Sequence, residues 1–205
     1  MRIRVNLDTE RVVLKEIIEK IRGKIFIDIG AFIGEYSVNL SDNFEEIWAF
    51  EPAGDSCGKL KRNITKYKIK NIKIFNQAVG SEIGCKKLFR NKQHHLESTV
   101  PSIRAGGLTG FKERNLRGET VPLTKVRVTT LKEIIQKREI DLVKIDTEGY
   151  EEEILKGGQG VMNQISNFMI EMHGNHGEVC RFMNQNGFKL NKKWNKRFWF
   201  VRVKK

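Results

Sequence analysis

The stretch that decides the fold is Ile25-Phe26-Ile27-Asp28-Ile29-Gly30-Ala31-Phe32-Ile33-Gly34. An apolar run of strand length ends in Asp-x-Gly, and a second glycine follows four residues later at the mouth of a helical stretch, Glu35 to Leu40. Gly30 lets the backbone turn sharply and approach a ligand closely, while Asp28 offers a carboxylate to a cationic amine. A dinucleotide fingerprint would need G-x-G-x-x-G here, to seat a pyrophosphate on the helix N-terminus. Asp28 stands in place of its first glycine, and a carboxylate repels a pyrophosphate. A cationic ligand therefore fits better, and S-adenosylmethionine, with its ammonium and sulfonium, is one.

Outward from this turn the chain alternates. An amphipathic helix from about Asp8 to Ile21 precedes the strand Lys24 to Ile29. Strands are expected at Glu46 to Phe50, Ile72 to Phe75, Leu142 to Ile145 and Asn167 to Met172. Helices are expected at Asp55 to Lys66, Thr130 to Lys137, Tyr150 to Lys156 and Val179 to Asn186. A terminal strand pair falls around Phe188 to Leu190 and Phe198 to Val203. Short apolar strands separated by helices predict an α/β fold with a mostly parallel sheet covered by helices on both faces. The rhythm breaks between Gly84 and Lys125, where Lys86 to Phe89 reads as an extra strand. Residues Asn91 to Gly118 lack any apolar period and read as an inserted acceptor-binding loop.

The 205 residues suit one domain, and no apolar run reaches the roughly 20 residues of a membrane span. No secretory signal is read at the N-terminus, so a cytoplasmic protein is expected. Cys57, Cys85 and Cys180 have no spacing that suggests zinc or a disulfide framework. With 38 Lys and Arg against 25 Asp and Glu, the net charge of +13 favours an anionic partner. Eight of the basic residues fall between Lys189 and Lys205, interleaved with Trp194, Phe198, Trp199 and Phe200. That composition suits RNA; it equally suits a final strand with lysines turned to water.

The candidate site residues gather at strand ends. Glu51, in Phe50-Glu51-Pro52, stands where a ribose diol is gripped in nucleoside-binding doubly wound folds. Asn76, Gln77 and Ala78 follow the third strand, where an adenine edge would lie, though they are also ordinary turn residues. In Leu142-Val143-Lys144-Ile145-Asp146-Thr147-Glu148-Gly149-Tyr150-Glu151, residues Lys144, Asp146 and Glu148 alternate and would share one face. A lysine in an apolar strand needs a partner, so Lys144 and Asp146 form either a buried ion pair or a pair that also meets a substrate hydroxyl. In Ile170-Glu171-Met172-His173-Gly174-Asn175-His176, His173 is the candidate general base. Asp146, Glu148, Glu171 and His173 could together hold a divalent cation, but the reading adopted does without a metal.

In their order, these blocks resemble the FkbM family of S-adenosylmethionine-dependent methyltransferases. The likeness runs from Ile27-Asp28-Ile29-Gly30-Ala31-Phe32-Ile33-Gly34 through Phe50-Glu51-Pro52, Gln77-Ala78-Val79-Gly80 and Val128-Thr129-Thr130-Leu131. It continues through Lys144-Ile145-Asp146-Thr147-Glu148-Gly149-Tyr150-Glu151, the most specific block, to Glu171. Phe32 replaces the asparagine usual after the Gly-Ala pair, and Lys132 the aspartate usual after the Thr-Leu pair. The resemblance implies a Rossmann-like fold of the class I methyltransferases with a seven-stranded sheet, in one domain over residues 1–205, opened by a helical segment, 1–23. It also implies a methyl donor held by Asp28, Gly30, Ala31, Phe32, Gly34, Tyr36, Glu51, Pro52, Asn76, Gln77, Ala78 and Asp146. Catalytic roles fall to Asp146, Glu148, His173 and Lys144.

The activity implied is methylation of a hydroxyl oxygen on a sugar, glycan or related small molecule. The basic charge keeps RNA methylation on ribose or a ring nitrogen as an alternative. A cofactor-binding module that acts through interaction alone is the third.

Overall fold

The computed structural model describes residues 11–91, 120–147, 149–173 and 176–203, with the side chains of 89–91 and 120–124 outside that description. The expected insertion, but for its first residue Asn91, and Glu148 therefore lie outside the described residues. Helix α1 (Arg11–Lys20) leads into β1 (Gly23–Ile29), followed by α2 (Glu35–Asn39), β2 (Phe44–Phe50), α3 (Gly54–Lys66) and β3 (Ile72–Phe75). Then come β4 (Ala78–Val79), β5 (Gly84–Asn91), β6 (Thr120–Thr129), α4 (Leu131–Ile135), β7 (Leu142–Ile145) and α5 (Glu151–Lys156). A 3-10 turn at Met162–Gln164 precedes β8 (Asn167–Glu171), α6 (His176–Gln185), β9 (Phe188–Trp194) and β10 (Arg197–Arg202).

The main sheet has seven strands in the order β3-β2-β1-β7-β8-β10-β9. The first five run parallel, and β10 runs antiparallel to both its neighbours. Strand alternation divides its side chains between two cores. Phe26, Ile47, Leu142, Met169 and Trp199 meet Val13, Leu14 and Ile17 of α1 on one face. Ile27, Val143, Ile145, Phe168 and Phe200 meet Leu131, Ile154 and Val179 of α4, α5 and α6 on the other. Both faces are thus buried, which is why the central strands read as continuous apolar runs. The chain turns to opposite sides of β1 as it passes first to β2 and later to β7, and such a reversal opens a crevice at the carboxyl ends of the strands.

The extra strand expected at Lys86 to Phe89 lies within β5, but the sheet it joins was not expected. The break after Gly80 is a second, three-stranded sheet in the order β4-β6-β5. In it β5 pairs antiparallel with β6 from Gly84↔Val128 to Asn91↔Thr120. Leu88, Val126 and Val128 of this sheet are buried in the larger core, so it forms one flank of the crevice.

Candidate active site

The turn after β1 is built on two close approaches. Gly30 has φ of +76°, and a Cβ there would stand 1.9 Å from the Asp146 carbonyl oxygen, so glycine is required both by conformation and by space. Phe32 has φ of +50°, in the left-handed region where asparagine is favoured and phenylalanine is strained. The backbone conformation explains the asparagine usual at this position in the family. Here the turn is held instead by Glu51, whose Oε2 accepts from the Phe32 N–H at 2.9 Å and whose Oε1 accepts from the Ala53 N–H at 2.9 Å. Glu51 is buried; burial pushes its carboxyl above the usual range, against the two backbone N–H bonds that favour its charge. Each oxygen keeps a lone pair for a ribose hydroxyl.

Asp28 takes a different place from the one expected. It is 0% exposed. Its Oδ2 accepts from the Ser37 N–H at 3.1 Å and from the Ser37 hydroxyl at 2.6 Å, and its Oδ1 lies 3.2 Å from Lys144 Nζ. Parallel register sets Asp28 directly beside Lys144, so the two side chains leave adjacent strands on the same face. Lys144 Nζ also donates to the Gly30 carbonyl at 2.9 Å and lies 3.5 Å from Asp146 Oδ2. The direct grip of Asp28 on a cofactor amine is therefore revised: its carboxylate holds Lys144 and the start of α2, and Lys144 ties the glycine turn to Asp146. Tyr36 is revised with it, because its ring is buried in the α1 core with Lys144 Nζ 5.2 Å from the ring centre. Ala31 is buried beneath α3 with Val38 and Leu60, and Gly34 starts α2 against Leu60.

A cleft of about 390 Å³, its open mouth included, lies along the carboxyl edge. Gly30 with Ile29, Pro52 with Phe50, Gln77 with Ala78, and Leu88, Thr147 and Tyr150 line it. Asn76 stands beside the cleft as a clamp, its amide donating to the Glu51 and Pro52 carbonyls at 2.9 and 3.0 Å. Cys57 closes the same corner, and burial, then the nearby Glu51 charge, pushes its thiol up to about 11, which makes it a poor nucleophile. Tyr150 is steered from the small sheet, since Lys86 Nζ donates to its hydroxyl at 3.0 Å.

At the ends of β7 and β8 a second group converges. Asp146, Glu171 and His173 each offer a ligand atom within 4.8 Å of the others. His173 Nδ1 is 3.4 Å from Glu151 Oε1, and its Nε2 is 3.5 Å from Glu171 Oε1. Glu151, buried, also accepts from the Gly149 N–H at 2.8 Å, so it fixes both the imidazole and the turn before α5. Arg197 lies 2.7 Å from Glu171 Oε2. Burial opposes ionisation of Glu171, but the His173 hydrogen bond and the Arg197 charge outweigh it and hold its carboxyl below the usual range. Asp146, Glu171 and His173 are a donor set suited to a hard divalent cation. Both carboxylates also have a cationic partner, in Lys144 and Arg197.

The FkbM methyltransferase domain model matches residues 28–190. The chain belongs to this methyltransferase family. The FkbM methyltransferase of Methylobacillus flagellatus is 16% identical over 87% of this chain and 44% of that one, with a TM-score of 0.59. TrmK of M. capricolum, solved with S-adenosylhomocysteine, is 12% identical over 92% of this chain and 66% of that one, with a TM-score of 0.53. An rRNA methylase from Streptococcus thermophilus is 10% identical over 98% and 99% of the two chains, with a TM-score of 0.51. At these identities the likeness is one of fold, the Rossmann-like fold of S-adenosylmethionine-dependent methyltransferases. The chain spans less than two thirds of the length of the first two of these structures. No curated protein sequence matches it significantly.

Sequence reasoning missed Glu151 and Arg197, and the wall residues Leu88, Thr147 and Tyr150. Glu151 lay in plain view at the end of the Lys144–Glu151 block, and its partner His173 is 22 residues away.

Proposed function

We propose that this FkbM-family chain transfers the methyl group of S-adenosylmethionine to a hydroxyl oxygen of a sugar, glycan or related small molecule. One observation carries the reading: the glycine turn and Glu51, suited to a nucleoside, share the carboxyl edge with the Asp146, Glu171 and His173 group, suited to a hydroxyl. The adenosyl group would lie along the cleft wall of Ile29, Pro52, Gln77 and Ala78, with its ribose diol on Glu51. In the transfer the acceptor oxygen forms a C–O bond as the S–CH3 bond breaks, leaving S-adenosylhomocysteine. The hydroxyl proton passes to His173 or Asp146, and Glu151 orients the imidazole for that step. Since the sulfonium is already a good leaving group, proximity and one base supply what the reaction needs.

RNA methylation is the second reading, favoured by the exposed lysines along β9, whose five residues from Lys189 to Lys193 are all exposed. A labelled-methyl transfer screen against total RNA and, in parallel, against glycan and lipid-sugar extracts separates the two. Label entering sugar hydroxyls supports the first reading; label confined to RNA overturns it. Binding of S-adenosylhomocysteine without transfer to any extract would leave only an interaction module. No helix of the described residues is long and apolar enough to cross a membrane.

A further inference from the structure

The β9–β10 hairpin reaches the carboxyl edge of the main sheet. Because β10 runs antiparallel to β8, the turn at Asn195 and Lys196 emerges where β8 ends, at the carboxyl edge that carries the site. Three contacts anchor it there. Arg197 is paired with Glu171 in register and by its guanidinium, and the Lys196 carbonyl accepts from the Met172 N–H at 2.9 Å, one residue before His173. Asn195, with φ of +49°, supplies the left-handed residue such a tight turn needs, so the turn is preformed.

The cations of this hairpin divide into two sets. Lys192 is engaged with Glu16 of α1, on the face away from α6. Arg197 is engaged with Glu171. Lys193 and Lys196 are exposed, and neither has an ion-pair partner among the described residues. Lys193 Nζ is held 4.7 Å above the Phe198 ring, whose edge also meets His176 at the start of α6. Lysines along an exposed edge strand discourage strand-to-strand aggregation, which accounts for Lys189 and Lys192. Lys196 stands in the turn and has no free strand edge to protect, and Lys193 stands at the turn end of β9; with the turn bonded to Met172, the pair is better explained by what approaches the base-bearing segment.

We propose that Lys193 and Lys196 form an anion subsite at the acceptor side of the cleft, and that the acceptor is a phosphorylated sugar. Its phosphate lies at the hairpin turn, with its reacting hydroxyl at Asp146 and His173. This rests on the methyl-transfer reading above and names the acceptor class for the same site. Lysine binds phosphate as a point charge with rotatable donors, and two of them neutralise most of a phosphate monoester. The carboxylates of Asp146 and Glu171 would repel a bare anion from the reacting position. The subsite therefore orders the acceptor end to end, hydroxyl inward and phosphate outward. A sugar phosphate is favoured over RNA because Lys193 and Lys196 flank one turn and match one phosphate, while Lys189 lies at the far end of β9 and Lys192 is held by Glu16, so the cations at the site do not form the track a polynucleotide uses.

The test uses the full chain saturated with S-adenosylhomocysteine and titrated with ribose 5-phosphate, with ribose, and with a short single-stranded RNA, followed by backbone amide NMR. The expected result is saturable shifts at Met172, Lys193 and Lys196 with ribose 5-phosphate, none with ribose, and at least about tenfold weaker binding in K193Q/K196Q. Binding should fall with salt with a slope near two charges. Shifts spread evenly over lysines elsewhere, such as Lys59 and Lys137, or unchanged affinity in the double variant, would overturn the subsite. RNA binding that is far tighter, with a salt slope well above two charges, would overturn the sugar-phosphate assignment. S-adenosylhomocysteine affinity is read on the same sample. Its loss would sink the methyltransferase reading, whereas its retention with no response at the turn would sink the subsite alone.

Discussion

The revised placement of Asp28 makes a quantitative demand that a double-mutant cycle with Lys144 can meet. Asp28 is fully buried and Lys144 nearly so, at 5% exposure, with 3.2 Å between their charged atoms. Removing one member of such a pair leaves an uncompensated buried charge, at about 3–5 kcal/mol. K144M should sit at the upper end of that range, because it also deprives the Gly30 carbonyl of its donor. D28N should cost less, roughly 2–4 kcal/mol, since Lys144 keeps Asp146 and Gly30 while Ser37 can still donate to the amide oxygen. The double variant should fall short of the sum by at least about 1.5 kcal/mol, the scale of coupling between residues in one network. Urea unfolding with unchanged m values reads the stabilities, and calorimetry on folded D28N reads S-adenosylhomocysteine affinity. That affinity should stay within about threefold of the unsubstituted chain, well under the tenfold that 1.4 kcal/mol represents. Additive stabilities, or a more than tenfold loss of affinity in a folded D28N, would refute the positioning role and restore a direct contact with the cofactor.

Four further outcomes follow from the geometry. G30A should abolish measurable cofactor binding and destabilise the chain by roughly 3 kcal/mol or more, from a Cβ driven into the Asp146 carbonyl at positive φ; calorimetry and urea unfolding check both. F32N should stabilise by up to about 1 kcal/mol in urea unfolding, by relieving the left-handed strain at φ +50°. Glu171 has a carboxyl lowered on folding, so its contribution is fully present above its unfolded pKa of about 4.3 and is lost as pH falls through the folded value; an acid titration of stability should show this loss, and R197Q should shrink it. H173A should lower turnover by about a hundred- to ten-thousand-fold at unchanged cofactor affinity, whereas E151Q, which keeps an acceptor for the ring, should lose much less.

The central strands were legible because each is buried on both faces and so writes a dense apolar run into the sequence. Leu142–Ile145, with all four residues buried, falls where the pattern puts it, and so does Ile72–Phe75, an edge strand that is only partly buried. Of the small sheet, only β5 was legible, as the extra strand at Lys86 to Phe89. Of β6, only Val126 and Val128 with exposed Lys125 and Arg127 between and before them show alternation, and its partner β5 lies beyond the 92–119 segment. Strand β9 was read too short, ending at Leu190 where the sheet continues to Trp194. An edge strand exposed on both faces has no alternation to read. The same limit governed the site. Asp28 and Gly30 stood out as residue types, but Ser37 and Lys144, which claim the Asp28 carboxylate, are fixed by the helix that follows and by register with β7. Arg197 looked like one cation in a basic tail until antiparallel pairing set it against Glu171.

Charge distribution then resolves an apparent conflict between a chain of net charge +13 and a cationic methyl donor. Among the described residues, the carboxyl edge gathers Glu51, Asp146, Glu151 and Glu171, with Lys144 paired to Asp146 and Arg197 to Glu171. The basic residues are elsewhere, on exposed surface such as β9. A carboxylate buried without a full complement of partners is costly, as the raised ionisation range of Glu51 records, and an incoming cation lowers that cost. S-adenosylmethionine, whose ammonium is offset by its own carboxylate, would bring one net positive charge to this edge. Methyl transfer then removes the sulfonium charge. S-adenosylhomocysteine keeps the ammonium and the carboxylate, so under the proposed transfer the edge loses only the one net charge that the donor would bring.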